Sequence, residues 1–96
     1  MSDSIEINKI NKSRIDDVDF TTLTFGSVFT DHMLECDFID GKWQKPIIKP
    51  YGPLTIDPSA SVFHYGQAIF EGMKAYKDSN EKIWLFRPED NWDRFN

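Results

Sequence analysis

Residues 32–40 read HMLECDFID and alternate apolar and polar residues with period two. Met33, Glu35 and Asp37 fall on one side, and Leu34, Cys36 and Phe38 on the other. A period of two is that of a strand with two unlike faces. Asp40-Gly41 follows at once. That dipeptide tolerates positive φ and closes two-residue hairpins, so the chain is predicted to turn back through Lys42, Trp43, Gln44 and Lys45. Pro46 interrupts the return. It has no N–H to give a ladder, which places residues 47–49 at a sheet edge or past a bulge. Pro50 and Pro53 bracket Tyr51-Gly52, and Asp57-Pro58 comes soon after; these prolines favour extended or turning backbone.

The remaining pattern completes an α+β reading, with strands over residues 25–49. The segment SVFHYGQAIFEGMKAY, residues 61–76, is predicted to contain a helix. Its apolar residues do not share one stripe, which implies burial on more than one side. Gly72 can close that helix with a left-handed residue. Residues 73–77 then read as a strand, 78–80 as a turn and 82–86 as the partner strand. Pro88 suits the first turn of a last helix, and Glu89 and Asp90 suit its positive end. Residues 1–24 form a polar arm whose few isoleucines could pack as an edge strand. The fold class expected is α+β: a mostly antiparallel sheet with a central helix. Residues 25–96 form one small, partial domain. The last helix has less than three turns and no cap, so the sequence is expected to continue past Asn96.

Composition narrows the functional classes. The chain has 96 residues, enough for one small domain. Its 11 basic and 16 acidic residues leave a formal charge of −5. Nucleic-acid binding depends on Lys and Arg neutralising phosphates, so an acidic chain without a basic run argues against that partner. A small anion needs only one or two placed arginines. A single cysteine, Cys36, cannot form an internal disulfide, and no Cys/His spacing suits zinc. Cys36 is read as a half-buried hydrophobe in a strand. The N-terminus lacks the apolar core of a signal peptide, and no run is long enough to span a membrane. The expected location is the cytoplasm.

Little chemistry is legible from residue types alone. His32 and His64 stand in different elements and in no metal-binding spacing. No serine lies in a nucleophile elbow, and HYGQAIFEG has too few glycines for a dinucleotide loop. Asp31 and His32 are adjacent, so on a strand their side chains point to opposite faces, and they are read as a surface pair at a strand start. Arg94 could grip a phosphate through its planar fork. It could equally make an i,i+4 ion pair with Asp90 on a helix surface. Phe25, Tyr65 and Phe70 are most simply core aromatics.

Longer words change that balance. FGSVFTDHM, then W(x)2PxIxPYGPLxIDPS, then FHYGQAIFEGMKAY, then IWLFRPEDNWDRFN stand in this order between Phe25 and Asn96. This resembles the N-terminal region of branched-chain amino acid aminotransferases, which are fold-type IV enzymes using pyridoxal 5'-phosphate. The resemblance implies the small N-terminal domain of a homodimeric enzyme, with the cofactor between domains. It implies that Arg94, in NWDR, binds the cofactor phosphate. It also implies that Phe25 in FGS, Tyr65 in FHY and Phe70 in IFEG line the substrate side-chain pocket. The implied reaction moves the amino group of L-leucine, L-isoleucine or L-valine to 2-oxoglutarate. Ser59-Ala60 stands where the family usually has Ala-Ser, and Phe63 replaces a usual Leu; neither touches the implied pocket.

The same resemblance places the lysine that would hold the cofactor covalently beyond Asn96. Lys74, in GMKAY, is not that lysine. The chain alone is therefore expected to be inactive, to retain no cofactor and, with apolar surface exposed, to self-associate. Two alternatives stand beside this reading. One is a non-catalytic domain for binding or assembly. The other is a different fold-type IV enzyme, of the D-amino acid transaminase or aminodeoxychorismate lyase type.

Overall fold

A computed structural model describes residues 4–96. It is a small mixed α/β structure of short strands and two helices, β1 to β7 and α1 and α2, in two compact units, Met1–Leu54 and Thr55–Asn96. The first three residues of the polar arm lie outside the described residues.

In the first unit, β2 (His32–Glu35), β3 (Phe38–Ile39) and β4 (Lys42–Trp43) form with the predicted turn, but exposure does not follow the predicted alternation: Leu34 and Phe38 are exposed, while Met33 and Glu35 are half-buried. Asp40 and Gly41 both have positive φ, 53° and 76°, the conformation of a type I′ hairpin turn. Phe38 pairs with Trp43 across it, and their rings meet edge-on at 5.0 Å. Residues 25–31 contain no strand: Thr24 to Ser27 is a turn closed by Ser27 N–H donating to Thr24 O. Gly26, at φ 76°, turns the chain there. Cys36 is half-buried as expected, but it lies between β2 and β3 rather than in a strand.

The proline-flanked strand departs from expectation. β5 (Ile47–Pro50) is no edge; it is the central strand of a three-stranded sheet of order β1-β5-β2. Pro46 sits just outside it and still supplies its carbonyl, which accepts from Glu6 N–H at 3.1 Å. The missing N–H of Pro46 falls just before the first paired residue, Ile47, so it leaves the ladder intact. β2 pairs antiparallel with β5, and Glu35 and Lys49, diagonal neighbours on one face, form an ion pair at 2.7 Å. The arm does form an edge strand. β1 (Glu6–Ile7) runs parallel to β5, with Asn8 N–H donating to Ile48 O.

Asp31 and His32 turn out to tie down this arm. The Ile10 N–H donates to His32 Nε2 at 3.0 Å. Asp31 accepts from the Ser13 hydroxyl at 2.5 Å and from Arg14 N–H at 3.0 Å, and Arg14 adds an ion pair. The Ser13 hydroxyl foremost, then the Arg14 N–H, hold the Asp31 carboxyl below its ordinary value of 3.8. A lowered folded-state pKa means the tether is complete above the ordinary value and is lost as pH falls through the lowered one. In the full polypeptide, Asp31→Ala is expected to lower the protection of the Arg14 amide against hydrogen exchange, relative to its intrinsic rate, at neutral pH, and acid should lower that protection in the unsubstituted protein. Unchanged exchange at Arg14 in the variant would remove the tether.

The second unit is less regular. α1 (Ser61–His64) is a single turn, entered through Asp57, which accepts from Ser59 N–H and the Ser59 hydroxyl. The long helix expected over residues 61–76 is not formed. Gly66, at φ 60°, takes the left-handed role assigned to Gly72 and stops the helix after one turn. Residues 66–74 follow without regular structure. A glycine six residues into the segment, and apolar residues that share no stripe, leave nothing to propagate the helix.

The remainder agrees with the sequence. β6 (Ala75–Lys77) and β7 (Ile83–Leu85) form a hairpin. Its turn extends one residue further than predicted, to Glu81 at φ 63°. Asp78 organises it by accepting from the N–H groups of Asn80 and Lys82 and from the Trp84 indole at 2.7 Å. α2 (Pro88–Phe95) begins at Pro88, with left-handed Arg87 before it.

Among the described residues none is buried. The accessible surface is 9283 Å², against about 5,700 Å² for a self-contained globular chain of this mass. No described helix is long and apolar enough to cross a membrane.

Candidate functional site

α2 sets the geometry. Asn91 and Arg94 are three residues apart and so share a helix face. Both reach the irregular stretch at Glu71-Gly72. Asn91 Nδ2 donates to Glu71 Oε1 at 3.0 Å and to the Gly72 carbonyl at 2.6 Å. Arg94 Nε donates to Glu71 Oε2 at 2.7 Å, and Arg94 Nη2 donates to Oε1. The carboxylate thus accepts three hydrogen bonds, two of them a fork from one guanidinium. The Asp90–Arg94 pair considered from the sequence is not made. Asp90 turns back to Arg87 at 2.7 Å, which leaves Arg94 to Glu71.

The two ends of this pair are unequally placed. The Glu71 side chain is 13% exposed and Arg94 72% exposed. The Arg94 fork first, then the Asn91 amide, hold the Glu71 carboxyl down from 4.5 to about 2. Glu71 raises the Arg94 guanidinium in return. A carboxyl titration by 13C NMR is expected to find Glu71 ionised to nearly pH 2, and Arg94→Ala should return it toward 4.5. The contribution of this pair to folding is complete above about pH 4.5 and is lost as pH falls toward 2.

A shallow cleft of about 280 Å³ lies against the same face, lined by Phe86, Arg87, Asp90, Asn91 and Arg94. Arg87 and Arg94 each bring a guanidinium of the kind that grips a phosphate, while Arg87 Nε is paired with Asp90, which also lines the cleft, and both N–H groups of the Asn91 amide are spent on Glu71 and Gly72. Glu71 takes the Nε–Nη2 edge of Arg94. A planar guanidinium has a second edge, Nη1–Nη2, with which it can receive another anion. The guanidinium edges left over would suit a phosphate such as that of the implied cofactor.

The three aromatic candidates are distributed differently. Tyr65 and Phe70 belong to the second unit, one at the end of α1 and the other beside Glu71, and both are exposed. Phe25 belongs to the first unit, in the turn at Gly26, and is also exposed. The simpler reading of all three as core residues fails on that exposure. No ring contact joins Tyr65 to Phe70 among the described residues, where the ring pairs are Phe29–Tyr51 and Phe38–Trp43. Sequence reasoning missed Glu71 and Asn91. The available signal was the only acid between Asp57 and Asp78, set in the apolar run IFEGM, with Asn91 three residues before Arg94.

No family model matches the chain. Individual proteins do. The chain is 53% identical over 79 residues to branched-chain-amino-acid transaminase 1 of Bacillus subtilis (strain 168), covering 81% of this chain and 22% of that protein. It is 55% identical over 78 residues to the branched-chain-amino-acid aminotransferase of Dictyostelium discoideum, covering 80% and 21%. A probable branched-chain-amino-acid aminotransferase of Staphylococcus epidermidis (strain RP62A) is 44% identical over 97 aligned positions, covering 100% of this chain and 26% of its own. These relatives are all named transaminases or aminotransferases, and that is the class of protein the chain is similar to. Within that class, the chain belongs to the branched-chain-amino-acid aminotransferase family. It spans about a fifth to a quarter of the length of the curated relatives it matches.

Proposed function

We infer that this chain supplies part of the small domain of a fold-type IV enzyme. The enzyme transfers the amino group of L-leucine, L-isoleucine or L-valine to 2-oxoglutarate in the cytoplasm, as a homodimer. Pyridoxal 5'-phosphate is the electron sink for such chemistry. Arg94 binds its phosphate, and Phe25, Tyr65 and Phe70 line the pocket for the branched side chain. The observation that carries this reading is the Arg94 cleft, in a chain about half identical to named branched-chain aminotransferases.

Each residue has a physical task in this scheme. The Arg94 charge does not titrate near neutrality, so its grip on a dianion is constant over the working pH range. The rings of Phe25 and Phe70 offer apolar contact to side chains that have nothing else to bind. Tyr65 adds a phenol hydroxyl that can donate a hydrogen bond. On the family resemblance, covalent attachment of the cofactor falls to a lysine that is not among those of this sequence.

The test uses the full polypeptide in which this sequence occurs. Adding L-leucine is expected to shift the cofactor absorbance, whereas D-alanine should not; the reverse preference would assign the chain to another fold-type IV enzyme. Phe70→Ala is expected to lower kcat/KM for leucine by about tenfold or more, since apolar pockets discriminate by roughly 1–3 kcal/mol per methylene. An unchanged ratio would take Phe70 out of the pocket.

A further inference from the structure

The geometry points to Glu71 as a positioning residue, which holds Arg94 by one edge so that the opposite edge is presented to the phosphate ester of the cofactor. This rests on the reading of Arg94 as the phosphate ligand and adds to it the direction of the grip. A guanidinium offers an anion two bidentate edges, Nε–Nη2 and Nη1–Nη2. Glu71 occupies the first with both carboxylate oxygens. Glu71 is itself fixed. Its side chain is 13% exposed, and Asn91 bonds both Glu71 Oε1 and the neighbouring Gly72 carbonyl. The acid therefore acts as a bracket on the irregular segment, and the arginine as the arm it carries.

Three consequences follow from the chemistry. An unbracketed arginine on the last turn of a short helix samples many rotamers, and binding must freeze them; a held one has lost that freedom beforehand. Glutamine cannot replace Glu71 in this role. It keeps one acceptor but turns an NH₂ toward a donor of Arg94, so the fork is broken. Lastly, the bracket concerns the phosphate alone. It should not alter how the pyridine ring is bound.

The full polypeptide carrying this sequence tests the inference through two ligands, pyridoxal phosphate and unphosphorylated pyridoxal. Glu71→Gln is expected to weaken pyridoxal phosphate about tenfold and to leave pyridoxal unchanged. Equal losses for both ligands would make Glu71 merely structural and overturn the proposal. Tighter binding of pyridoxal phosphate would also overturn it, by marking Glu71 as a competing anion. An experiment on the unsubstituted protein guards against a variant that fails to fold. In 15N-resolved spectra, saturation with pyridoxal phosphate should move the Nη signals of Arg94 and leave its Nε–H signal in place. A shift of Nε–H would mean that the phosphate displaces Glu71, and the bracket would be refuted. Arg94→Ala separates the two levels. If it weakens pyridoxal phosphate and pyridoxal alike, the phosphate-ligand reading itself has failed, whatever Glu71 does.

Discussion

Arg94→Ala in the full polypeptide is expected to lower affinity for pyridoxal phosphate by about 100-fold, while pyridoxal is held as before. Hydrogen bonds to charged groups are each worth about 1.5–3 kcal/mol, so losing a fork of two removes roughly 3 kcal/mol or more. The substitution has a second effect, because Glu71 loses its two strongest partners. Its carboxylate then stands beside the cleft with only Asn91 and the Gly72 N–H to hold it, and its charge opposes an incoming dianion. Both effects act in the same direction. Arg94→Lys should recover only part of the loss, since an ammonium is a point charge and cannot serve two anions on two edges. Equilibrium dialysis of the cofactor, read by its absorbance, measures this directly. Retention of pyridoxal phosphate within about threefold of the unsubstituted protein would detach Arg94 from the phosphate.

Expressed alone, the 96-residue chain is expected to lack a cooperative thermal transition and to self-associate as concentration rises. None of its described residues is buried, and Phe25, Tyr65, Phe70 and Phe86 are among the many exposed rings. Its accessible surface exceeds the value for a compact chain of its mass by more than half, since 9283 Å² stands against about 5,700 Å². Apolar area left in water contributes nothing at about 25 cal/mol per Å², so the entropy of ordering the backbone goes unopposed. The hairpins and helices are local and short, and isolated elements of that size are marginal in water. Sedimentation should show species larger than a monomer, and a dye that reports apolar surface should bind. A sharp melting transition from a strictly monomeric sample would show that this segment folds unaided.

Elements of short range were legible in the sequence. Asp40-Gly41 announced its hairpin because both residues accept positive φ, and both have it. Pro88 announced α2 because proline suits a first helical turn. The error over residues 61–76 was also one of short range, as Gly66 stops the helix that hydropathy suggested and Gly72 was given its role. Arg94 was legible as a site residue only through the motif around it. Its partner was not, because Glu71 lies 23 positions earlier and the nearer acid Asp90 offered a plausible alternative.

Sequence by itself determined the family, the two hairpins, the start of α2 and the identity of the phosphate-binding candidate. These depend on residue type, on motif order and on contacts a few positions apart. Tertiary structure alone decided that a proline-flanked strand takes the centre of a sheet, with the arm running parallel beside it. It alone decided that Arg94 turns from Asp90 to Glu71. Pairing of that kind joins groups far apart in the chain. Which partner wins there is settled by where the backbone brings each donor and acceptor, and no local preference encodes it.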